Sequence, residues 1–217
     1  MLILILAGAA ALALLTAFLL GGNRRAKARK NSLEEIGTVS GVAFEPFGPD
    51  LKFLESTGLP YFAEGRSSVA KNFFRFKEED GFESFFFDYA CAVGAPGSET
   101  KSECTAALFS FNKNVFPAFF LSADGAAPQP GIPGYGPADI KNFPGLQENA
   151  KVYSDDVNQL AALLNSGKSE LFSKEPDWSA QAAGQYLLLY KAQQLASPGS
   201  YLEFVKAAKL LALRLAV

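Results

Sequence analysis

The apolar stretch from Leu2 to Leu20 is the feature that most limits what this chain can fold into. It contains no charged side chain, and Gly21 and Gly22 extend it. A helix of roughly 20 residues, rising about 1.5 Å per residue, spans a hydrocarbon core of about 30 Å. Such a helix also satisfies every backbone amide internally, as lipid requires. We therefore predict a transmembrane helix over residues 1–22.

A basic cluster follows the apolar stretch. Its members are Arg24, Arg25, Lys27, Arg29 and Lys30. A cleaved signal peptide, the alternative, carries its positive charge before the apolar run. Because Lys and Arg beside a membrane helix stay in the cytoplasm, we expect this cluster to set membrane topology. The bilayer is then the first partner of a single-pass inner (cytoplasmic) membrane protein with a cytoplasmic C-terminal domain. Export of the domain, and a cluster that binds anionic headgroups, are the alternatives.

The chain after residue 30 is acidic, with 15 basic and 22 acidic side chains, and the whole sequence contains no histidine. An acidic domain argues against nucleic acid as a partner, because that binding depends on Lys and Arg that neutralise phosphates. Without histidine, the chain lacks the commonest general base and the commonest metal ligand. We therefore expect no metal or other cofactor, and we favour a function other than that of an enzyme.

Residues 61–122 predict an antiparallel sheet. Asp80-Gly81 is a hairpin signal, and 12 of the 20 phenylalanines lie between Phe73 and Phe120. The expected strands are Tyr61–Glu64, Lys71–Lys77, Glu83–Val93, Glu103–Phe111 and Phe116–Ser122. In the longest strand, the odd-numbered side chains, such as Phe87, are expected to face the core.

Capping signals predict helices before and after this sheet. We expect Asp50 to cap a short helix, Ser154 to cap a helix that starts at Val157, and Ser197-Pro198 to open the last helix. The apolar stripe of the last helix is Leu202, Val205, Ala208, Leu211, Ala212 and Leu215. A strand over Tyr186–Tyr190 joins the sheet. The predicted class is α+β, with the antiparallel β-sheet packed against C-terminal helices.

Asp88 is the candidate for chemistry because it lies between Phe87 and Tyr89. A carboxylate among aromatic residues on a central strand can act as a general acid or base. A carboxylate-dependent hydrolase would combine it with Asp155 or Asp156. We favour a structural aspartate, since the sequence places no histidine or second carboxylate beside it.

Cys91 and Cys104 flank a predicted loop of 12 residues. If the loop closes symmetrically, the two cysteines are cross-strand neighbours within reach of a disulfide. Thiols in the cytoplasm stay reduced. We therefore favour two core thiols over a redox pair.

Residues 123–149 are rich in Gly and Pro and predict a long surface loop. Tyr135 within this loop is the candidate contact for a protein partner, because tyrosine is common at recognition surfaces. An inert connector is the alternative.

Several segments together resemble a family of uncharacterised bacterial membrane-anchored proteins. The segments are Gly65 with Asn72–Phe74, Phe87–Tyr89, Phe116–Phe119, Val152–Asp156, and Tyr186–Tyr190 with the last helix. Members carry one or two N-terminal transmembrane helices and then an α+β domain, and the resemblance covers roughly residues 53–215. It implies a membrane anchor and a fold. The family has no assigned activity, so the resemblance implies no chemistry.

The sequence therefore predicts a transmembrane helix over 1–22, a basic juxtamembrane segment and connector over 23–52, and a soluble α+β domain over 53–217. The expected function is that of a membrane-tethered interaction or accessory module with a protein partner in the membrane. A structural subunit of a larger membrane complex and a carboxylate-dependent hydrolase are the alternatives.

Overall fold

The computed structural model of the chain describes residues 22–63, 66–77, 82–93, 99–123, 134–165 and 167–216. Residues 1–21, which hold nearly all of the predicted transmembrane helix, lie outside this part, so that helix stays a prediction. No helix within the described ranges combines the length and the apolar character needed to cross a membrane. The Asp80-Gly81 turn also lies outside them.

Within the described residues, nine antiparallel strands form one sheet, in the order β1-β2-β3-β4-β9-β8-β5-β7-β6. The strands are β1 Phe44–Phe47, β2 Arg66–Lys77, β3 Phe82–Val93, β4 Thr100–Phe111, β5 Phe116–Ser122, β6 Gly136–Ala138, β7 Lys151–Ser154, β8 Trp178–Gly184 and β9 Tyr186–Lys191. The helices are α1 over residues 22–40, α2 Leu51–Ser56, α3 Pro60–Ala63, α4 Val157–Leu164, α5 Ser169–Lys174 and α6 Tyr201–Ala216. The predicted α+β class and antiparallel sheet are confirmed.

Helices cover both faces of this sheet. One face packs with α1, α4, α5 and α6 in a core that includes Leu33 and Phe86. The opposite face packs with α2 and α3 in a core that includes Leu54 and Phe87. The odd-numbered face of β3 is core, as predicted, but the even-numbered face is buried as well. Asp88 therefore lies in an interior and not at a surface.

Helix α1 occupies much of the segment predicted as a connector. Residues 23–52 contain α1 and β1, and Leu33 of α1 is fully buried. At Gly37 the helix approaches the following chain so closely that an added Cβ would lie 2.9 Å from the Val42 carbonyl oxygen. Helix α1 is thus a packed part of the domain.

Several local predictions are confirmed. Asp50 caps α2 by accepting the backbone N–H of Lys52. The predicted strand Phe116–Ser122 is β5, and Tyr186–Tyr190 lies within β9. These segments combine a clear capping residue or a strongly apolar run with a turn at each end, so local sequence determines them.

Other local predictions are wrong. Tyr61, expected in a strand, lies in α3, because Pro60 is well suited to the first position of a helix. Asp156, not Ser154, caps α4, because its carboxylate accepts two backbone N–H groups at the helix start. In the stripe of α6, Tyr201 is buried and Leu202 is 43% exposed.

Candidate functional site

A cluster of buried polar groups surrounds Asp88 on the even-numbered face of β3. Arg29 of α1 binds the carboxylate twice, from Nε to Oδ2 and from Nη2 to Oδ1, both at 2.7 Å. Asn72 Nδ2 donates to Oδ2 at 2.7 Å, and Thr105 Oγ1 donates to Oδ1 at 2.9 Å. Each oxygen of the fully buried carboxylate thus accepts two hydrogen bonds. This full set of donors compensates for burial of the charge.

Arg29 also connects the loop after β9 to this cluster. Its Nη1 donates to the Ala196 carbonyl oxygen at 2.6 Å, and the Ala196 amide donates to Thr105 Oγ1 at 2.9 Å. Burial disfavours the charge on Arg29, but hydrogen bonding to Asp88 and the Asp88 charge raise the pKa of the guanidinium above its ordinary value. Arg29 therefore stays charged, and its hydrogen bonds hold α1, the sheet and the loop together at one point.

Asn72 reaches Asp88 from a left-handed backbone conformation. Its φ is 55°, in a region that asparagine tolerates better than most residues. The register of β2 against β3 shifts between Lys71 and Phe74, and such a bulge re-aims a side chain. The irregular strand thus places an amide donor on the buried carboxylate.

Tyr201 at the start of α6 contributes a buried phenol. Among the described residues its hydroxyl has no hydrogen-bond partner. Burial raises the pKa of Tyr201, the Asp88 charge raises it further, and the Arg29 charge opposes this. The phenol therefore stays protonated beside the ion pair.

The predicted hydrolase carboxylates are not brought together. Asp88 lies on β3, whereas Asp155 and Asp156 follow β7, and four strands lie between β3 and β7. Because neighbouring strands are about 4.8 Å apart, this separation is about 24 Å. Asp156 is occupied as the cap of α4, and every oxygen of Asp88 is already hydrogen-bonded. Asp88 is a structural aspartate, as favoured, and its charged partner is Arg29 of α1.

The five residues predicted to set topology have different surroundings. Arg24, Arg25 and Lys27 are exposed, Lys30 is half-buried, and Arg29 is bound to Asp88. The topology role of this basic cluster stays a prediction. One member of the cluster, Arg29, is thus a core residue of the domain, which the prediction of a topology role does not include.

Tyr135, the predicted partner contact, is half-buried just before β6. Burial, and then the charge of Asp155, raise the pKa of its phenol. Residues 124–133 of the predicted loop lie outside the described part of the chain. The partner contact at Tyr135 stays a prediction.

The opposite face of β3 and β4 holds a neutral polar cluster. Tyr61 of α3 places its hydroxyl 3.2 Å from Cys104 Sγ, and its ring stacks on Tyr190 with centroids 4.5 Å apart. Burial raises the pKa of the Cys104 thiol to about 12. A thiol that does not ionise is a poor nucleophile, so this cluster is structural.

The two cysteines are not directly opposite each other. Cys104 pairs with Tyr89 and Cys91 pairs with Ser102, so the symmetric closure predicted for the loop is displaced by two residues. Both cysteines are buried, and neither is in a disulfide. They are core residues, as expected, and their reduced state in the cell stays a prediction.

A signal for the partner of Asp88 is present in the sequence. Leu33, Ile36 and Gly37 follow Arg29 at helical spacing, which places all four on one side of a helix. That pattern indicates a helix with a buried face. The other basic residues of the cluster make this pattern hard to recognise, because a run of charges suggests a segment that faces solvent.

No protein-family profile and no curated protein sequence matches this chain. Its fold is similar to the crystal structure of the mycobacterial trehalose monomycolate transport factor A, TtfA, with a TM-score of 0.61 and 13% sequence identity. The match covers 87% of this chain and 96% of that chain. At this identity the likeness is one of fold alone.

Proposed function

We propose that this protein is a membrane-tethered accessory module that presents its α+β domain to a protein partner in the membrane. The observation that carries the proposal is the bidentate ion pair between Arg29 and Asp88, in which both N–O distances are 2.7 Å. Arg29 belongs to the helix that directly follows the predicted membrane span. The ion pair therefore joins the sheet to α1, the helix that would leave the bilayer.

A fixed attachment has a physical purpose that a flexible one lacks. A buried ion pair adds little net stability compared with apolar packing, and its best-attested role is to specify one arrangement. Here that arrangement is the position of α1 on the sheet. A domain that needed only a tether would be served by a flexible linker. A domain held at one orientation presents the same surface to a membrane partner at all times.

The fold of TtfA supports this class of function. That protein is a transport factor, and its similarity over most of both chains is consistent with an accessory role at a membrane. The molecule that TtfA serves is not transferred to this chain. The proposal is limited to a protein that assists another membrane protein.

Membrane attachment is tested on the full-length chain in native membranes. Alkaline carbonate washing is expected to leave the chain in the membrane pellet, and protease added outside intact cells is expected to leave the domain intact. Release by carbonate contradicts the anchor, and digestion from outside contradicts the cytoplasmic orientation.

The accessory role is tested by chemical cross-linking in the same membranes, followed by mass spectrometry. We expect a discrete product that joins this chain to a different membrane protein. A chain that stays strictly monomeric contradicts the proposal. A large assembly that contains the chain in fixed stoichiometry favours the structural-subunit alternative instead.

A further inference from the structure

A cavity of about 430 Å³ lies between α6, the ends of β8 and β9, and the loop that carries Ala196. Trp178 and Phe204 line it and stack with ring centroids 4.9 Å apart. Trp178 is buried and Phe204 is partly exposed, so Phe204 offers aromatic surface to the cavity. Serine hydroxyls and aliphatic side chains complete the wall.

The charge balance of this cavity is negative. Glu175 and Glu203 line it, are exposed, and form no ion pair with the described residues. Lys191 is the cation of the lining, but its Nζ lies 5.4 Å above the Trp178 ring and 3.8 Å from Asp177 Oδ2. The lysine is therefore engaged beside the aromatic wall, and both glutamates are available to a ligand.

The wall of the cavity is attached to the helix that follows the predicted membrane span. Ala196 lines the cavity, and its carbonyl oxygen accepts the hydrogen bond from Arg29 Nη1. Arg29 lies seven residues after residue 22, where the predicted span ends, which is about 10 Å along a helix. The predicted topology would then place this wall of the cavity close to the end of the span.

We propose that this cavity binds a Lys or Arg side chain from the cytoplasmic juxtamembrane segment of the partner protein. This inference rests on the proposed function and adds the chemistry of the partner. Membrane proteins concentrate Lys and Arg at that position. A cation, most favourably a planar guanidinium, stacks on an aromatic ring while carboxylates bind its N–H groups. Phe204 supplies the ring, and Glu175 and Glu203 supply the carboxylates.

The cavity has its own reporter, because Trp178 is the only tryptophan in the chain. The test uses the full-length protein in nanodiscs of phosphatidylcholine. The probe is an acetylated, amidated octapeptide with three arginines, and the control peptide has citrulline in their place. We expect the arginine peptide alone to change the Trp178 emission with a saturable titration. An equal response to the citrulline peptide overturns the proposal.

A matched pair of double variants separates the cavity from general attraction between charges. Glu175→Gln with Glu203→Gln removes both carboxylates and is expected to weaken peptide binding about tenfold or more. A tenfold change in affinity corresponds to about 1.4 kcal/mol. Glu45→Gln with Glu148→Gln removes the same charge from exposed sites elsewhere and is expected to leave binding unchanged. Equal weakening in both double variants overturns the proposal.

Three further outcomes locate the failure if there is one. A change in Trp178 emission on transfer to phosphatidylethanolamine nanodiscs, without peptide, assigns the cavity to a lipid amine and overturns a protein occupant. If the cross-linked partner persists in the Glu175→Gln/Glu203→Gln variant at the wild-type yield, this inference fails and the accessory function stands. If the wild-type chain yields no partner, the accessory function itself fails.

Discussion

Two adjacent residue pairs of β3 and β4 face opposite sides of the sheet and bury different chemistry. Asp88 lies opposite Thr105 under α1, and Tyr89 lies opposite Cys104 under α3. The first side holds a carboxylate that is bound by groups from three separate segments of the chain, α1, β2 and β4. The second side holds neutral hydroxyl and thiol groups, among them the Tyr61 hydroxyl and the Cys104 thiol, which lie 3.2 Å apart. The Asp88 side requires one arrangement of its donors around the carboxylate. The Tyr89 side requires mainly good packing.

The energetic demands of the two sides differ accordingly. A buried carboxylate needs a charged partner, and removing that partner leaves an uncompensated charge. A buried phenol or thiol that loses its partner forfeits one hydrogen bond, about 1 kcal/mol. The α1 side is therefore the side where a single substitution is expected to cost the most stability.

The largest expected effect is that of Arg29→Ala. It leaves Asp88 buried without a counter-charge and is expected to destabilise the domain by about 3–5 kcal/mol, measured by urea denaturation of the detergent-solubilised full-length chain. Arg25→Ala removes an exposed charge from the same helix and is expected to leave the denaturation midpoint nearly unchanged. Equal midpoints for the two variants contradict the assignment of Arg29 to the core.

A double variant sharpens this result. Arg29→Met combined with Asp88→Leu makes the charged side resemble the neutral one. Apolar replacement of a buried ion pair is often neutral or stabilising. Because the change also removes the acceptor of the buried Asn72 amide, the double variant is expected to regain part, not all, of the stability lost in Arg29→Ala. A sum of two independent losses would show that the two side chains are not coupled.

Asn72 gives the next largest effect and separates hydrogen bonding from backbone strain. Asn72→Gly removes the donor to Asp88 and is expected to cost about 2 kcal/mol, since a hydrogen bond to a charged group contributes about 1.5–3 kcal/mol. Asn72→Ala removes the same donor but keeps a Cβ in the left-handed region, so it is expected to be about 1 kcal/mol less stable than the glycine variant. Chemical denaturation of both variants measures the difference. Equal stabilities for them contradict the strained conformation at φ 55°.

The neutral side is tested by alkaline pH. The unfolded chain releases the Cys104 proton near its ordinary pKa of 9.0, whereas the folded chain holds it to about 12. The stability from this neutral thiol is therefore complete below pH 9 and is lost as the pH rises towards 12. At a pH of about 10.5 the loss from this group is on the order of 2 kcal/mol.

Cys104→Ala is the matched variant for the alkaline test. Urea midpoints at pH 8 and at about pH 10.5 are expected to fall less for this variant than for the wild type, because its unfolded state has no thiolate at that position. An identical fall in both proteins assigns the alkaline loss to tyrosines such as Tyr89, whose pKa burial raises to about 12.

Local signals in the sequence predict elements well where they act over short distances. The carboxylate of Asp50 caps α2, and the apolar run Phe116–Ser122 forms β5 as expected. Strand β8, Trp178–Gly184, was missed because its small side chains are buried on both faces and show no alternation. The cavity wall at Trp178 was therefore missed with it.

The candidate site depends on contacts that no local pattern contains. Arg29 and Asp88 are 59 positions apart, and Ala196 is further still along the chain. The sequence identified Asp88 as notable because of its aromatic neighbours. Its partner Arg29 is predicted to lie at the membrane surface, because membrane topology alone explains five basic residues after an apolar run. The spacing of Leu33, Ile36 and Gly37 places Arg29 on the apolar side of a helix, but only the packing of α1 on the sheet identifies Asp88 as its partner.

The smallest expected effect is that of Tyr201→Phe, and it has the opposite sign. The Tyr201 hydroxyl is buried without a hydrogen-bond partner among the described residues, and an unsatisfied buried group costs about 1 kcal/mol or more. Removing it while keeping the ring, whose centroid lies 5.2 Å from that of Phe74, is expected to leave stability unchanged or raise it slightly. Phe62→Ala on the other face, which removes a buried ring, is the destabilising counterpart. A loss of stability in Tyr201→Phe would contradict this prediction. It would show that the Tyr201 hydroxyl donates a hydrogen bond within the polar cluster around Asp88.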